Sequence, residues 1–160
     1  MRRLLTAAAL AVLLVAAPAC DSDGDDERPS FRAEITGDLE TTLAGQPAVT
    51  VNDFDGDPLY TFVLSSGFSS LGFSISGEPQ PRTYGAEGAT VLLFGDEPTF
   101  FVGRSGSVVV ESVEGRLVRG RFAFDATEGF DGGGCQIRVE GTMVVDLDDR
   151  VQGPIPTPRP

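Results

Sequence analysis

Apolar and polar residues alternate along two long stretches of the chain. From Phe31 to Leu43 the odd positions are Phe31, Ala33, Ile35, Gly37, Leu39, Thr41 and Leu43, and the even ones are Arg32, Glu34, Thr36, Asp38, Glu40 and Thr42. From Cys135 to Leu147 the odd positions are Cys135, Ile137, Val139, Gly141, Met143, Val145 and Leu147, against Gln136, Arg138, Glu140, Thr142, Val144 and Asp146. A period of two puts one side of a strand on a core and the other in water, as in antiparallel sheets and unlike parallel sheets buried on both faces. Gly37 and Gly141 fall on the apolar side, where glycine marks a bend, a bulge or a tight barrel corner.

Shorter segments lie between. Ala48–Val51 and Leu59–Leu64 flank the turn-rich Asn52–Pro58, and Leu71–Ser76 follows a Ser/Gly turn. Thr90–Phe94 and Thr99–Val102 flank Gly95-Asp96-Glu97-Pro98, and Ser107–Val113 and Arg116–Asp125 flank Glu114-Gly115; both read as hairpins. In the last strand Val118, Gly120, Phe122 and Phe124 share a side. No window has a helical period. The pattern predicts an all-β domain of about eight to nine strands, either an antiparallel β-sandwich or an up-and-down β-barrel.

The chain ends do not share this pattern. Met1-Arg2-Arg3 followed by the apolar run Leu4–Ala17 has the charge and length of a secretory signal, and is too short for the roughly 20 residues a membrane span needs. Ala17-Pro18-Ala19-Cys20 resembles a bacterial lipobox, in which the Cys thiol takes a diacylglycerol and becomes the first mature residue. Family lipoboxes usually carry Leu where Ala17 stands. Ala17-Pro18-Ala19 also fits the A-x-A site of the general signal peptidase, which would release a soluble secreted protein. A cysteine at the junction and a polar tether after it favour lipidation of Cys20, whose acyl chains would hold the protein to a membrane without a transmembrane helix. Asp21 to Pro29 is acidic and lacks apolar residues, so it reads as a solvated linker. It also resembles the surface-export signals of some lipoproteins. The expected organisation is a signal at 1–19, lipidated Cys and acidic linker at 20–30, an all-β domain at 31–150 and a Pro-rich tail at 151–160.

Charge narrows the choice of partners. The formal net charge is −12, and removing Arg2 and Arg3 with the signal takes it to −14; all twelve basic residues are Arg and there is no His. Nothing forms the basic patch that binding to nucleic acid or anionic headgroups requires. No cofactor motif is present, and none is expected.

Three segments carry a likeness. Ser105-Gly106-Ser107-Val108-Val109-Val110, Val118-Arg119-Gly120-Arg121-Phe122-Ala123-Phe124-Asp125-Ala126 and Gln136-Ile137-Arg138-Val139-Glu140-Gly141-Thr142-Met143 resemble a pattern of SGxVxV, then VxGxFxFxA, then VxVxGxF. The pattern is that of small bacterial envelope lipoproteins of an uncharacterised all-β domain family. Met143 stands where that family usually has Phe. The likeness implies a fold and a location, the cell envelope, but no activity.

Candidate chemistry is sparse. Asp53, Asp55 and Asp57 alternate around Gly56 and offer hard oxygen ligands for calcium, although Asp-Gly is also an ordinary turn pair and the Glu of a complete EF-hand loop is missing. Cys135 reads as a buried, inert thiol, because no His is present to serve as its base. If Cys20 is not lipidated, a Cys20–Cys135 disulfide is open to it. Phe62, Phe68, Phe73, Phe94, Phe100, Phe101, Phe122 and Phe124 either pack a core or line a barrel cavity. The reading that follows is a non-enzymatic, lipid-anchored cell-envelope protein, at the outer membrane or cell surface. It is a structural or binding module for an unknown protein or small-ligand partner. The alternatives are a barrel carrier of a small apolar ligand and a secreted hydrolase using paired carboxylates.

Overall fold

The computed structural model describes residues 28–54, 56–95, 97–129 and 134–148. Nine strands follow one another among these residues: β1 (Ser30–Gly37), β2 (Thr41–Phe54), β3 (Asp57–Ser66), β4 (Ser69–Ser76), β5 (Arg82–Gly85), β6 (Thr90–Leu93), β7 (Thr99–Glu114), β8 (Leu117–Glu128) and β9 (Gln136–Asp146). All but β5 close into an antiparallel barrel. Around the wall the order is β7, β6, β4, β3, β2, β1, β9, β8, and β8 returns to β7. The strand β5 lies along the same edge of β7 as β6, opposite Ser107–Val110, while β6 faces Thr99–Val102. The fold is thus the barrel of the two architectures that the alternation allowed.

Three elements depart from the pattern read in the sequence. The stretch from Phe31 to Leu43 is a hairpin, not one strand. Its turn at residues 38–40 sets Ile35 opposite Thr41 and Ala33 opposite Leu43, so the odd residues stay inside on both arms and the alternation shows no break. Thr99–Val102 and Ser107–Val113 are parts of the single strand β7, whose register shifts between Gly103 and Ser105 and again between Val110 and Ser112. Each irregularity changes which positions face inward, and a fixed period of two cannot follow that. The four-residue strand β5 is too short for a period to reveal it.

Rings from facing walls fill the lumen. Phe62 on β3 stacks on Phe73 of β4 at 5.2 Å between centroids, Phe73 reaches Phe122 of β8 at 6.0 Å, and Phe122 meets Phe124 at 6.4 Å. These are ordinary offset and tilted separations for packed aromatics. Phe31, Phe101, Ile35, Leu64, Leu71, Ile75 and Val139 complete a continuous core. The inner glycines make room for it. Gly141 on β9 is the register partner of Phe122, and a Cβ there would meet the Phe122 ring at 2.5 Å.

The outer wall is divided. On β8 and β9 the outward positions carry Arg119, Arg121, Asp125, Arg138 and Glu140, tied by ion pairs such as Arg121–Glu111 at 3.3 Å and Arg138–Asp125 at 3.0 Å. Outward positions of β2, β3 and β4 are mostly small and uncharged, among them Ala48, Thr50, Thr61, Ser70, Gly72 and Ser74. Charge outside and packed rings inside is the reverse of a membrane-spanning barrel, whose outer band is apolar.

The up-and-down order gives the barrel two distinct ends. One end, here the base, holds the start of β1 at Ser30, the end of β9 at Asp146, and the turns at Gly56, Gly77 and Gly115. Asp146 is buried there and accepts a charged hydrogen bond from Arg116 Nε at 3.0 Å. The other end holds the connections β1–β2, β3–β4, β6–β7 and β8–β9.

Candidate binding site at the loop end

On β2, β4 and β7 the inner positions nearest the loop end are Thr41, Ser69 and Thr99, where the next inner positions of the same strands are Leu43, Leu71 and Phe101. Short hydroxyl side chains cannot fill a layer that the strands hold at barrel diameter. A cavity of about 330 Å³ opens there. Its floor is Leu43 and Leu93, both buried in the top of the core, and its walls are Leu39 and Phe94. Glu40 and Glu97 stand on its rim. The Phe94 amide donates to Ser69 Oγ at 3.0 Å, which fixes the start of the β6–β7 connection against β4.

Apolar surface continues outward from this cavity. Phe68, in the β3–β4 turn, is 85% exposed and its ring lies 6.1 Å from that of Phe94, itself 50% exposed. With Leu39 these are the exposed large hydrophobic side chains among the described residues, and all three are at the loop end. A small protein seldom gathers such side chains in one place unless they meet something. Other hollows, of about 420 and 430 Å³, are furrows on the outer wall, one among Arg32, Arg121 and Glu140, the other over Gly72. The first is also lined by Phe122 and the second by Val63, Leu71 and Phe73, but neither adjoins the exposed Phe68, Phe94 and Leu39.

The residues singled out in the sequence are distributed differently from this site. Phe62, Phe73, Phe101, Phe122 and Phe124 are core, Phe68 and Phe94 are rim, and Phe100 faces out beside Leu92. Asp53 and Asp57 lie at the opposite end, in the β2–β3 hairpin, where Asp53 Oδ1 accepts the Gly56 amide at 2.8 Å. That is a local side-chain-to-backbone hydrogen bond from the amide three residues on, which holds the turn. Asp55 and Cys20 fall outside the described residues. No group of three His, Cys, Asp or Glu suited to a metal occurs among the described residues. Cys135, just before β9, is half-buried against the core, and its amide donates to Glu128 Oε2 at 3.2 Å. Desolvation pushes the Cys135 thiol pKa up, and the Glu128 and Asp38 carboxylates push it further.

Sequence reasoning missed Leu39, Thr41, Ser69, Thr99 and the two rim glutamates. One signal was present: Phe68 follows Gly67 and Phe94 precedes Gly95, so large apolar residues sit inside turns, where polar ones are the rule. The fold and this mouth define the class of the protein: a closed antiparallel β-barrel of eight strands with one added strand and a filled lumen. No family model, curated protein or solved structure matches the chain.

Proposed function

We propose that this chain is a non-enzymatic, lipid-anchored protein of the bacterial cell envelope that binds a partner with the loop end of its barrel. One observation carries the reading: the exposed large apolar side chains gather at the end opposite to Ser30, where the linker from Cys20 joins. In this arrangement acyl chains on Cys20 hold the membrane. The nine residues Asp21 to Pro29 give a reach of at most about 30 Å. The barrel adds about 25–30 Å of rigid height before the rim. Loops carried by a rigid scaffold are where binding residues concentrate.

The filled lumen restricts the carrier alternative to the mouth, since Phe73 and Phe122 meet across the space that a deep ligand would need. The reading predicts a diacylglyceryl group on the Cys20 peptide by mass spectrometry, and loss of membrane association in Cys20→Ala. It further predicts that a photo-crosslinker at Phe68 on whole cells captures an envelope component that the same group at Gly115, on the base, does not. Equal capture from both ends, or capture from Gly115 alone, removes the loop end as the binding face.

A further inference from the structure

We infer that the mouth cavity takes a small amphipathic cation, an aryl- or alkyl-ammonium compound, with its apolar body on Leu43 and Leu93 and its ammonium group at Glu40 and Glu97. The inference rests on the loop end being the binding face, and adds the chemistry of the ligand.

Size sets the first limit. A volume of about 330 Å³ is at the small end for ligand sites, which run from about 300 to 1,000 Å³. It admits one ring or a short chain, not a lipid. The floor and walls are Leu39, Leu43, Leu93 and Phe94, so the body of the ligand is apolar.

The sign of the charge follows from the rim. Several acidic groups of the outer wall and the base are paired with arginines: Glu111 with Arg121, Glu114 with Arg119, Asp125 and Glu140 with Arg138, and Asp146 with Arg116. Glu40 and Glu97 make no ion pair to a described residue, and no arginine lines the cavity. An anion entering here would meet two carboxylates on a chain of net charge −12, whereas a cation is drawn in. Aromatic faces at the entrance add to this. Phe68 and Phe94, 6.1 Å apart and tilted by 52°, offer ring faces to an ammonium group. Thr41 and Thr99 supply hydroxyl oxygens that can accept its hydrogen bonds.

Three water-soluble probes of nearly equal shape separate the contributions: 3-phenylpropylammonium, 3-phenylpropanol and 3-phenylpropionate. Each is titrated calorimetrically into the full chain in nanodiscs, with empty nanodiscs as the blank. The expected result is saturable binding of one ammonium probe per chain, about tenfold tighter than the alcohol, as two exposed carboxylates allow, with no saturable binding of the carboxylate. Added salt weakens the ammonium probe alone, and Glu40→Gln with Glu97→Gln brings it to the level of the alcohol. Equal binding of all three probes, abolished by Phe94→Ser, overturns the preference for a cation and leaves the loop end as the binding face. Absence of saturable binding by every probe, with capture from Phe68 retained, overturns the cavity as a site. Loss of that capture as well overturns the binding face itself.

Discussion

The Phe122 ring covers Gly141, its partner across the β8–β9 ladder, and takes the space in which a side chain at 141 would stand. Phe122 is also the ring through which β8 touches β4 across the lumen, at 6.0 Å from Phe73. The glycine in one strand therefore sets the packing between opposite walls. Gly141→Ala forces its Cβ onto the Phe122 ring and onto the Arg32 carbonyl oxygen. We expect a loss of about 1–3 kcal/mol, read from the urea midpoint. Phe122→Leu frees the ring side of the clash but not the carbonyl side. In a double-mutant cycle the two changes should couple, with the pair less destabilising than the sum of the singles.

Glycines of positive φ divide into two kinds. At Gly106, φ +124°, an added Cβ would run into the Ala123 carbonyl oxygen and the Phe124 backbone, inside the β7–β8 ladder. At Gly115, φ +60°, nothing lies within 4 Å. Gly115→Ala should cost about 1–2 kcal/mol from backbone conformation alone. Gly106→Ala should cost more than about 3 kcal/mol, because the neighbouring backbone cannot give way. Comparable midpoints for the two variants would mean that β7 and β8 do not pair through this segment.

How much of this could be read from the residues differs by element. The odd-position alternation of Phe31–Ile35 and Ile137–Val145 gave the inner faces of β1 and β9 directly, and Val118 to Phe124 gave that of β8. The unity of β7 was hidden, because the irregularity between Gly103 and Ser105 moves the inner set from Phe101 and Gly103 to Val108 and Val110. Barrel closure was hidden for a related reason: a period reports which face is buried, not which strand lies alongside. The mouth cavity depends on Thr41, Ser69 and Thr99 sharing a layer, and these residues are far apart in the chain. Each on its own is an unremarked hydroxyl.

Asp53 separates a turn role from a metal role. Its Oδ1 accepts the Gly56 amide, and an Asn side chain offers the same acceptor without the charge. Asp53→Asn should stay within about 0.5 kcal/mol of the parent. Asp53→Ala should lose about 0.5–1.5 kcal/mol with the bond. Calcium should leave all three melting temperatures where they are. A calcium-dependent rise in the parent that Asp53→Asn removes would make the carboxylate a ligand instead.

The Cys135 thiol supplies a pH test. Desolvation and the Glu128 carboxylate raise its pKa in the folded chain, so the thiolate that reacts with alkylating agents is scarce at neutral pH. Between the ordinary thiol pKa and the raised one, the unfolded chain has released this proton while the folded chain keeps it. Stability from this group is therefore present below the ordinary value and lost as pH rises through that window. Alkylation by iodoacetamide should rise with pH later in the native protein than in urea. Glu128→Gln should move the native profile toward the unfolded one. Coincident native and unfolded profiles would contradict the raised value.

Floor and rim of the mouth should respond in opposite ways to substitution. Leu93 is 9% exposed and joins the core, so Leu93→Ala removes packed atoms and should cost about 2 kcal/mol or more. Phe68 is 85% exposed; its ring loses little contact on unfolding, and Phe68→Ser should change the stability read from the urea midpoint by no more than about 0.5 kcal/mol. The same change removes one ring of the exposed pair, so retention on a hydrophobic interaction column should fall clearly in Phe68→Ser and further with Phe94→Ser. Stability unchanged with surface character lost is the signature of side chains kept for contact with something outside the fold. A large loss of stability in Phe68→Ser would instead make this ring part of the barrel's own packing, and would leave the loop end without the apolar surface on which binding there depends.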